Sequence, residues 1–262
     1  MLLWAFVAWQ HRRERRGDDP LVHMGLLRIV TLRSGLIGLF SQNLILMGVF
    51  FVIPLYLQLV IGLDALETGI KMLPVSITMF IASAVGSRLS GRFPVRGIVR
   101  AGLMTTVVAI VALLATVKPD LGDAGFAVSM AVLGVGMGLI VSQLGNVVQS
   151  SVDASGRGEA GGLQYTGQQL GSSLGVALIG AIVLAGLTGG FVNQVESDPR
   201  IADEVSARVS VATQPGIDFV DSSQIEAAAA KANIDDRTGA AIVEDYETAQ
   251  LQALKAGLLA AA

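Results

Sequence analysis

The chain contains no cysteine and only two histidines, His11 and His23, both in one polar stretch. The first absence removes disulfides, thiolate nucleophiles and cysteine metal sites together. The apolar runs also hold no paired aspartates, no Ser–His pair and no His-rich zinc set, which argues against an intramembrane enzyme. Nothing in the sequence asks for a metal, a cofactor or a nucleic-acid partner. Charge is scarce as well: 15% of the 262 residues are charged, against roughly 25% in an average soluble domain. Amphipathic helices that could cover a soluble core are missing until after residue 195.

What remains is apolar and uninterrupted. Hydrophobic residues make up 52% of the chain. Ile37–Gly62, Gly102–Val117, Ala124–Val152 and Ala160–Val195 carry no Asp, Glu, Lys or Arg. A membrane helix needs about 20 mainly apolar residues, and each run approaches or exceeds that length. The expected complete spans are Ile37–Gly62, Glu67–Leu89, Gly97–Val117, Ala124–Gln149 and Gly161–Leu187. At one end, MLLWAFVAW precedes HRRERR, the reverse of a signal peptide's order. Residues 1–9 read as the end of a truncated span and 254–262 as the start of another, so the chain is expected to be a fragment.

Loop charge orients the spans, because Lys and Arg collect on the cytoplasmic side. The loop over 10–36 carries Arg12, Arg13, Arg15, Arg16, Arg28 and Arg33 against Glu14, Asp18 and Asp19. The connection from the second to the third span carries Arg88, Arg92, Arg96 and Arg100 without an acid. Alternation puts both on one face, with Asp64, Glu67, Asp120 and Asp123 on the other. The expected organisation is a cytoplasmic basic loop over 10–36, a five-helix bundle over 37–188 and an acidic extracytoplasmic helical segment over 189–253. Within that last segment, Ser223 and Glu226 fit a capping box, and a later helix should start near Asp236 and run through Ile242, Tyr246, Leu254 and Leu258. A flexible loop with no task is the other reading of the same segment.

Glycine is frequent inside the spans, although it costs about 1 kcal/mol against alanine in an exposed helix. In lipid, small residues at every fourth position let two backbones approach. Gly167, Gly171 and Gly175 have that spacing, and LGVGMGL supplies Gly134, Gly136 and Gly138. Helix packing is therefore assigned to Gly134, Gly138, Gly167, Gly171 and Gly175. GVGMG lacks the soluble strand and pyrophosphate context of a nucleotide-binding loop. Uncharged amides also recur: Gln42, Asn43, Gln58, Gln143, Asn146, Gln149, Gln164, Gln168 and Gln169. Each could bond a neighbouring helix, or the set could line a polar cavity. The candidate pathway residues are Asn43, Tyr56, Gln58, Gln143, Asn146, Gln164 and Gln168. Phe50, Phe51, Met47 and Phe80 could accept flat hydrophobic compounds or simply face lipid, and Lys71 could snorkel to the outer interface.

The run VIPLYLQLVIGLDALETGIKMLPVSITMF, with Pro54, Leu55, Tyr56, Leu57, Gln58, Gly62, Gly69 and Pro74, resembles the C-terminal half of fourteen-helix drug/proton antiporters of the major facilitator superfamily. LGVGMGL and GEAGGLQYTGQQLGSSLGVAL are similar to its later helices. The resemblance implies an all-α membrane protein: a partial major-facilitator bundle with five full transmembrane helices, corresponding to helices nine to thirteen, and truncated helices at both ends. Leu89, Arg92 and Arg96 match the superfamily's cytoplasmic loop signature. Ser87, Gly91, Pro94 and Val95 depart from it, and the loss of the aspartate at Gly91 leaves the arginines either a gating or a purely topological role. The family's proton-coupling acids belong to the N-terminal half. The resemblance thus implies a C-terminal portion of a transporter exchanging protons for drugs or amphipathic metabolites, inactive alone. Its partners are then the bilayer, a small amphipathic substrate and the missing half. A membrane assembly module with a partner-binding outer segment is the alternative.

Overall fold

The computed structural model describes residues 9, 12, 23–119, 122–214 and 216–261. The half-span expected over 1–9 therefore lies outside the described residues except for Trp9. So do His11, Asp120 and the loop charges at Arg13, Glu14, Arg15, Arg16, Asp18 and Asp19. The chain is helical, without a strand among the described residues. After a short turn at Met24–Arg28, α1 covers Val30–Leu55 and continues through a π turn, Tyr56–Val60. Then come α2 (Ala65–Leu89), α3 (Val95–Thr116), α4 (Asp123–Ser150) and α5 (Arg157–Ser197). Three further helices follow: α6 (Asp203–Ala212), α7 (Ser222–Lys231) and α8 (Asp236–Ala260). The helices α1 to α5 are each long and apolar enough to cross a membrane. In lipid a helix satisfies its own backbone, which is why such a chain resolves into helices and little else.

The ends of the elements follow from local chemistry. α2, α3 and α4 begin and end within two residues of the sequence expectation. α1 starts at Val30, a full turn or more before Ile37, because Arg33 near its beginning is exposed and reaches away from the apolar body. Pro54 lacks the N–H that an uninterrupted helix would use. The backbone widens just beyond it, with the Ile61 N–H donating to the Tyr56 carbonyl at 3.1 Å. Gly62 then takes φ +77°, a left-handed value that a side chain would resist, and turns the chain into α2. Asp64 and Glu67 form a reciprocal capping box there: the Glu67 N–H donates to the Asp64 carboxylate at 2.8 Å, and the Asp64 N–H to Glu67 at 3.1 Å.

Two expectations about the outer segment are corrected. α7 is capped by Asp221, whose carboxylate accepts from the Ser223 N–H at 2.9 Å, and not by the pair Ser223 and Glu226. The helix starts at Ser222, so the carboxylate one residue before it is the acceptor in position, and Ser223 already lies inside. α5 does not stop at Leu187 but runs on to Ser197, so the expected boundary at 188/189 falls inside a helix. Tertiary packing sustains the extension: Phe191 and Val195 are buried, and Phe191 meets Tyr246 of α8 edge-to-face at 5.5 Å.

The packing divides into two groups. α4 is clasped by α2 and α3, α5 by α1 and α8, and α1 also leans on α4 to join them. At the arginine-bearing end, Leu32 and Leu39 of α1 bury against Ile140, Leu144 and Val148 of α4. The closest approaches occur at glycine. A Cβ on Gly134 would overlap the Val75 carbonyl of α2, one on Gly138 the Met79 carbonyl, and one on Gly136 Thr106 of α3. Thr78 strengthens the first contact by donating to the Ala131 carbonyl at 2.8 Å. Gly171 and Gly175 rest on the Phe40 and Leu44 carbonyls of α1, whereas Gly167 has only an ordinary contact at 3.8 Å. Gly257 of α8 fits between Val183 and Val52. Gly171→Leu should therefore cost about 1–3 kcal/mol or more, while Gly189→Leu, with nothing within 4 Å of its added Cβ, should stay within about 0.5 kcal/mol. Thermal unfolding of the two variants in detergent would show the difference, and equal midpoints would contradict it.

Candidate substrate pathway

The amides that the sequence groups together occupy distinct places. Gln143 is buried, 1% exposed, and its Nε2 donates to the Gly86 carbonyl of α2 at 2.8 Å and to the Ser142 hydroxyl at 2.9 Å. It fastens α4 to α2. Tyr56 is fully buried at the opposite end, where its hydroxyl donates to the Lys118 carbonyl at 2.6 Å and ties α1 to the α3–α4 connection. Gln58 is exposed on the π turn just after it. Asn43 is half-buried, donating to the Leu39 carbonyl at 2.9 Å and accepting from the Ser172 hydroxyl of α5 at 3.5 Å. Gln42, beside it, is buried with its carbonyl oxygen unpartnered.

A separate cluster forms at the arginine-bearing end, where the short connection after Ser150 leads from α4 into α5. Gln149 donates to the Gln164 side chain at 3.4 Å, and Gln164 also lies against Gly145. Asn146 is exposed one turn from Gln149, bonding the Ser142 carbonyl at 3.2 Å. Gln168 is half-buried without a hydrogen bond among the described residues, while Gln169 donates to the Tyr165 hydroxyl at 3.2 Å. Asn146, Gln149 and Gln164 thus share a wettable, uncharged surface that can donate and accept hydrogen bonds but cannot itself carry a proton. Among the aromatic candidates, Phe80 is largely exposed on α2, and Phe50 and Phe51 are half-buried.

Charge lies at the two ends. Arg88, Arg92, Arg96 and Arg100 are exposed around the α2–α3 turn, with no side-chain partner among the described residues. Leu89 closes α2 beside them. On the same end, His23 binds Glu159 at the start of α5, through its backbone N–H at 2.8 Å and its ring Nδ1 at 2.7 Å. At the other end Lys71 pairs with Asp123 at 2.5 Å, a partner that hydropathy did not suggest.

Beyond α5, helices α6 to α8 form a cap. The Tyr246 hydroxyl accepts from the Val220 N–H at 2.9 Å, and Gln250 donates to the Val220 carbonyl at 2.7 Å, so α8 holds the chain entering α7. Arg200 bridges Asp198, at 2.7 Å, and Glu244, at 2.6 Å. Asp245 sits beside them, 7% exposed, with Oδ2 unpartnered. Burial pushes its carboxyl above the ordinary range, and the Asp198 charge adds to the effect more than Arg200 offsets it. The Arg200 guanidinium holds Asp198 below that range. Asp245 escaped the sequence reading, yet it lies three residues after Ile242 and four before Ala249, on the buried stripe of α8, where an acid is out of place.

A helical bundle with glycine-mediated contacts, an uncharged amide surface and arginines gathered on one end has the architecture of a multi-pass membrane protein. Residues 1–176 match the Major Facilitator Superfamily, and the chain belongs to that family. It is 27% identical over 206 residues to the tetracenomycin C resistance and export protein of Streptomyces glaucescens, covering 78% of this chain and 38% of that one. It is 29% identical over 174 residues to the multidrug efflux pump LfrA of Mycolicibacterium smegmatis, covering 66% and 34%. It is 28% identical over 185 residues to a probable actinorhodin transporter of Streptomyces coelicolor, covering 69% and 32%. The chain therefore spans about a third to two fifths of the length of these relatives.

The cap carries a pH dependence. Asp245, raised in the folded state, favours folding while protonated, so its contribution is full at acidic pH and is lost as pH rises through its elevated pKa. Asp198, lowered, acts in the opposite sense and at more acidic pH, its contribution lost as pH falls through its depressed value. Asp245→Asn should flatten the loss of thermal stability on the alkaline side of the ordinary carboxylate range. Melting curves taken at several pH values would check it; an unaltered pH profile would contradict it.

Proposed function

We propose that the chain forms the C-terminal portion of a proton-coupled secondary transporter that exports drugs or amphipathic metabolites, and that it does not transport by itself. The observation carrying this reading is the uncharged amide surface where α4 meets α5, set in a bundle whose spans hold no interior carboxylate. Such a surface can receive an amphipathic molecule, but proton coupling has to come from acids elsewhere, in the N-terminal half that the proposal requires. The names of the relatives, an export protein, an efflux pump and a transporter, support the same reading. In this arrangement Asn43, Asn146, Gln164 and Gln168 face the substrate, while Gln143 and Tyr56 hold the walls. The bilayer surrounds the bundle, the arginine turn faces the cytoplasm and the cap lies outside.

Cysteines introduced at Arg92 and Asp218 test the orientation: a membrane-impermeant thiol reagent applied to intact cells should label the second and not the first, and equal labelling would refute it. Resistance profiles test the pathway. In the longer protein expressed in a pump-deficient host, Asn43→Ala and Asn146→Ala should change which compounds are tolerated at normal expression. Thr105→Ala, on α3, should not. Gln143→Ala should instead lower thermal stability by about 0.6 kcal/mol, the usual worth of an interhelical hydrogen bond in a bilayer. An unchanged profile for both asparagine variants would reduce these amides to helix contacts.

A further inference from the structure

The cap contains a slot that the transport reading does not use. α6 and α7 splay apart over the outer ends of α5 and α8, and leave a cavity of about 320 Å³ between them. Its floor is Phe191 and Ile242, both buried. Val209 of α6 and Ile225 of α7 form facing walls, and Ile234 closes one end. The volume falls at the lower end of the range of small-molecule sites, about 300–1,000 Å³. Its mainly apolar lining favours an apolar occupant over water.

One charged group lines the slot, Arg208 of α6. Its side chain is exposed and makes no ion pair or hydrogen bond among the described residues, although Glu204 stands one turn away. A guanidinium left free at the edge of an apolar cavity is a receptor for a carboxylate or sulfonate, which it can grip through two N–H groups. The neighbouring groove of about 330 Å³ between α7 and α8 has the opposite character, lined by Glu226, Asp235 and Asp236. Arg208 thus gives the first cavity a positive edge, whereas carboxylates line the second.

We propose that the slot between α6 and α7 binds a small aromatic amphiphile with a single anionic head, its ring system on Phe191 and Ile242 and its head on Arg208. The site belongs to the cap and is separate from the amide surface in the bundle. Its occupancy is read by binding alone, so the result stands apart from whether the longer protein exports anything.

The test uses the chain in lipid nanodiscs titrated with 1-anilinonaphthalene-8-sulfonate, with the signal of protein-free nanodiscs subtracted. The fluorescence should reveal one saturable site. Arg208→Gln should weaken it roughly tenfold, the worth of one charge-assisted contact. Ala228→Trp or Ala212→Trp, each placing a bulky ring at an exposed lip of the slot, should abolish it. Circular dichroism and the melting midpoint select the variants that keep the fold, and two tryptophan positions on different helices guard against one of them unfolding the cap. Absence of a saturable site, or its survival in a folded tryptophan variant, would overturn the slot. Undiminished affinity in Arg208→Gln would overturn the anionic head.

Discussion

The contact on which the bundle depends is backbone against backbone at glycine. α4 lies against α2 at Gly134 and Gly138 and against α3 at Gly136, on two faces of a single turn or so of helix. Inside lipid the solvent is as apolar as leucine, so burying leucine gains little, and helices associate where their surfaces fit most closely. Removing the side chain brings carbonyl oxygens of one helix beside the Cα of the next, and it also frees Thr78 to bond the Ala131 carbonyl across the gap. The glycines that would weaken a helix in water are the means by which these helices recognise each other.

A second regime begins beyond the apolar spans. In the cap the hydrophobic effect operates again, and the contacts change character accordingly. Tyr246 and Phe191 stack edge-to-face, Ile242 is buried in the same core, and Gln250 fixes the Val220 carbonyl. Asp245 shows the cost of mixing the regimes. It lies on the face of α8 that packs inwards, beside a carboxylate–arginine–carboxylate bridge that already uses the nearby positive charge. α5 and α8 belong to both regimes, with small residues facing each other along their contact, Gly186 against Ala253 and Gly190 against Ala249.

The spans were legible because hydropathy and charge are sums over many residues, and a few misplaced side chains do not alter them. The start of α8 near Asp236 was legible for a similar reason: an apolar stripe resumed there. Two ends were not. Arg33 masked the first turns of α1, since a charge that can extend past the membrane edge looks, in a string of letters, like the end of a span. The expected end of α5 at Leu187 fell short, because the partner that carries the helix onward, α8 at Ala249, is about sixty residues further along the chain. The amides were visible as a set but not as individuals. Gln143 and Asn146 stand three residues apart with the same chemistry, yet one is clamped on the Gly86 carbonyl and the other is exposed. Which neighbour each meets is decided by packing between distant segments, and no local pattern records it.

The unbroken course of α5 from Arg157 to Ser197 has a mechanical consequence. At 1.5 Å per residue it is a rod about 60 Å long, about twice the thickness of a bilayer's hydrocarbon layer. Its lower half is seated on α1 and its upper end carries Phe191 beneath the cap. A stiff lever of that proportion magnifies: a tilt of about 5° at the arginine-bearing end carries the far tip sideways by about 5 Å. The cap thus sits at the far tip of that lever, where a small reorientation among the apolar helices would be enlarged.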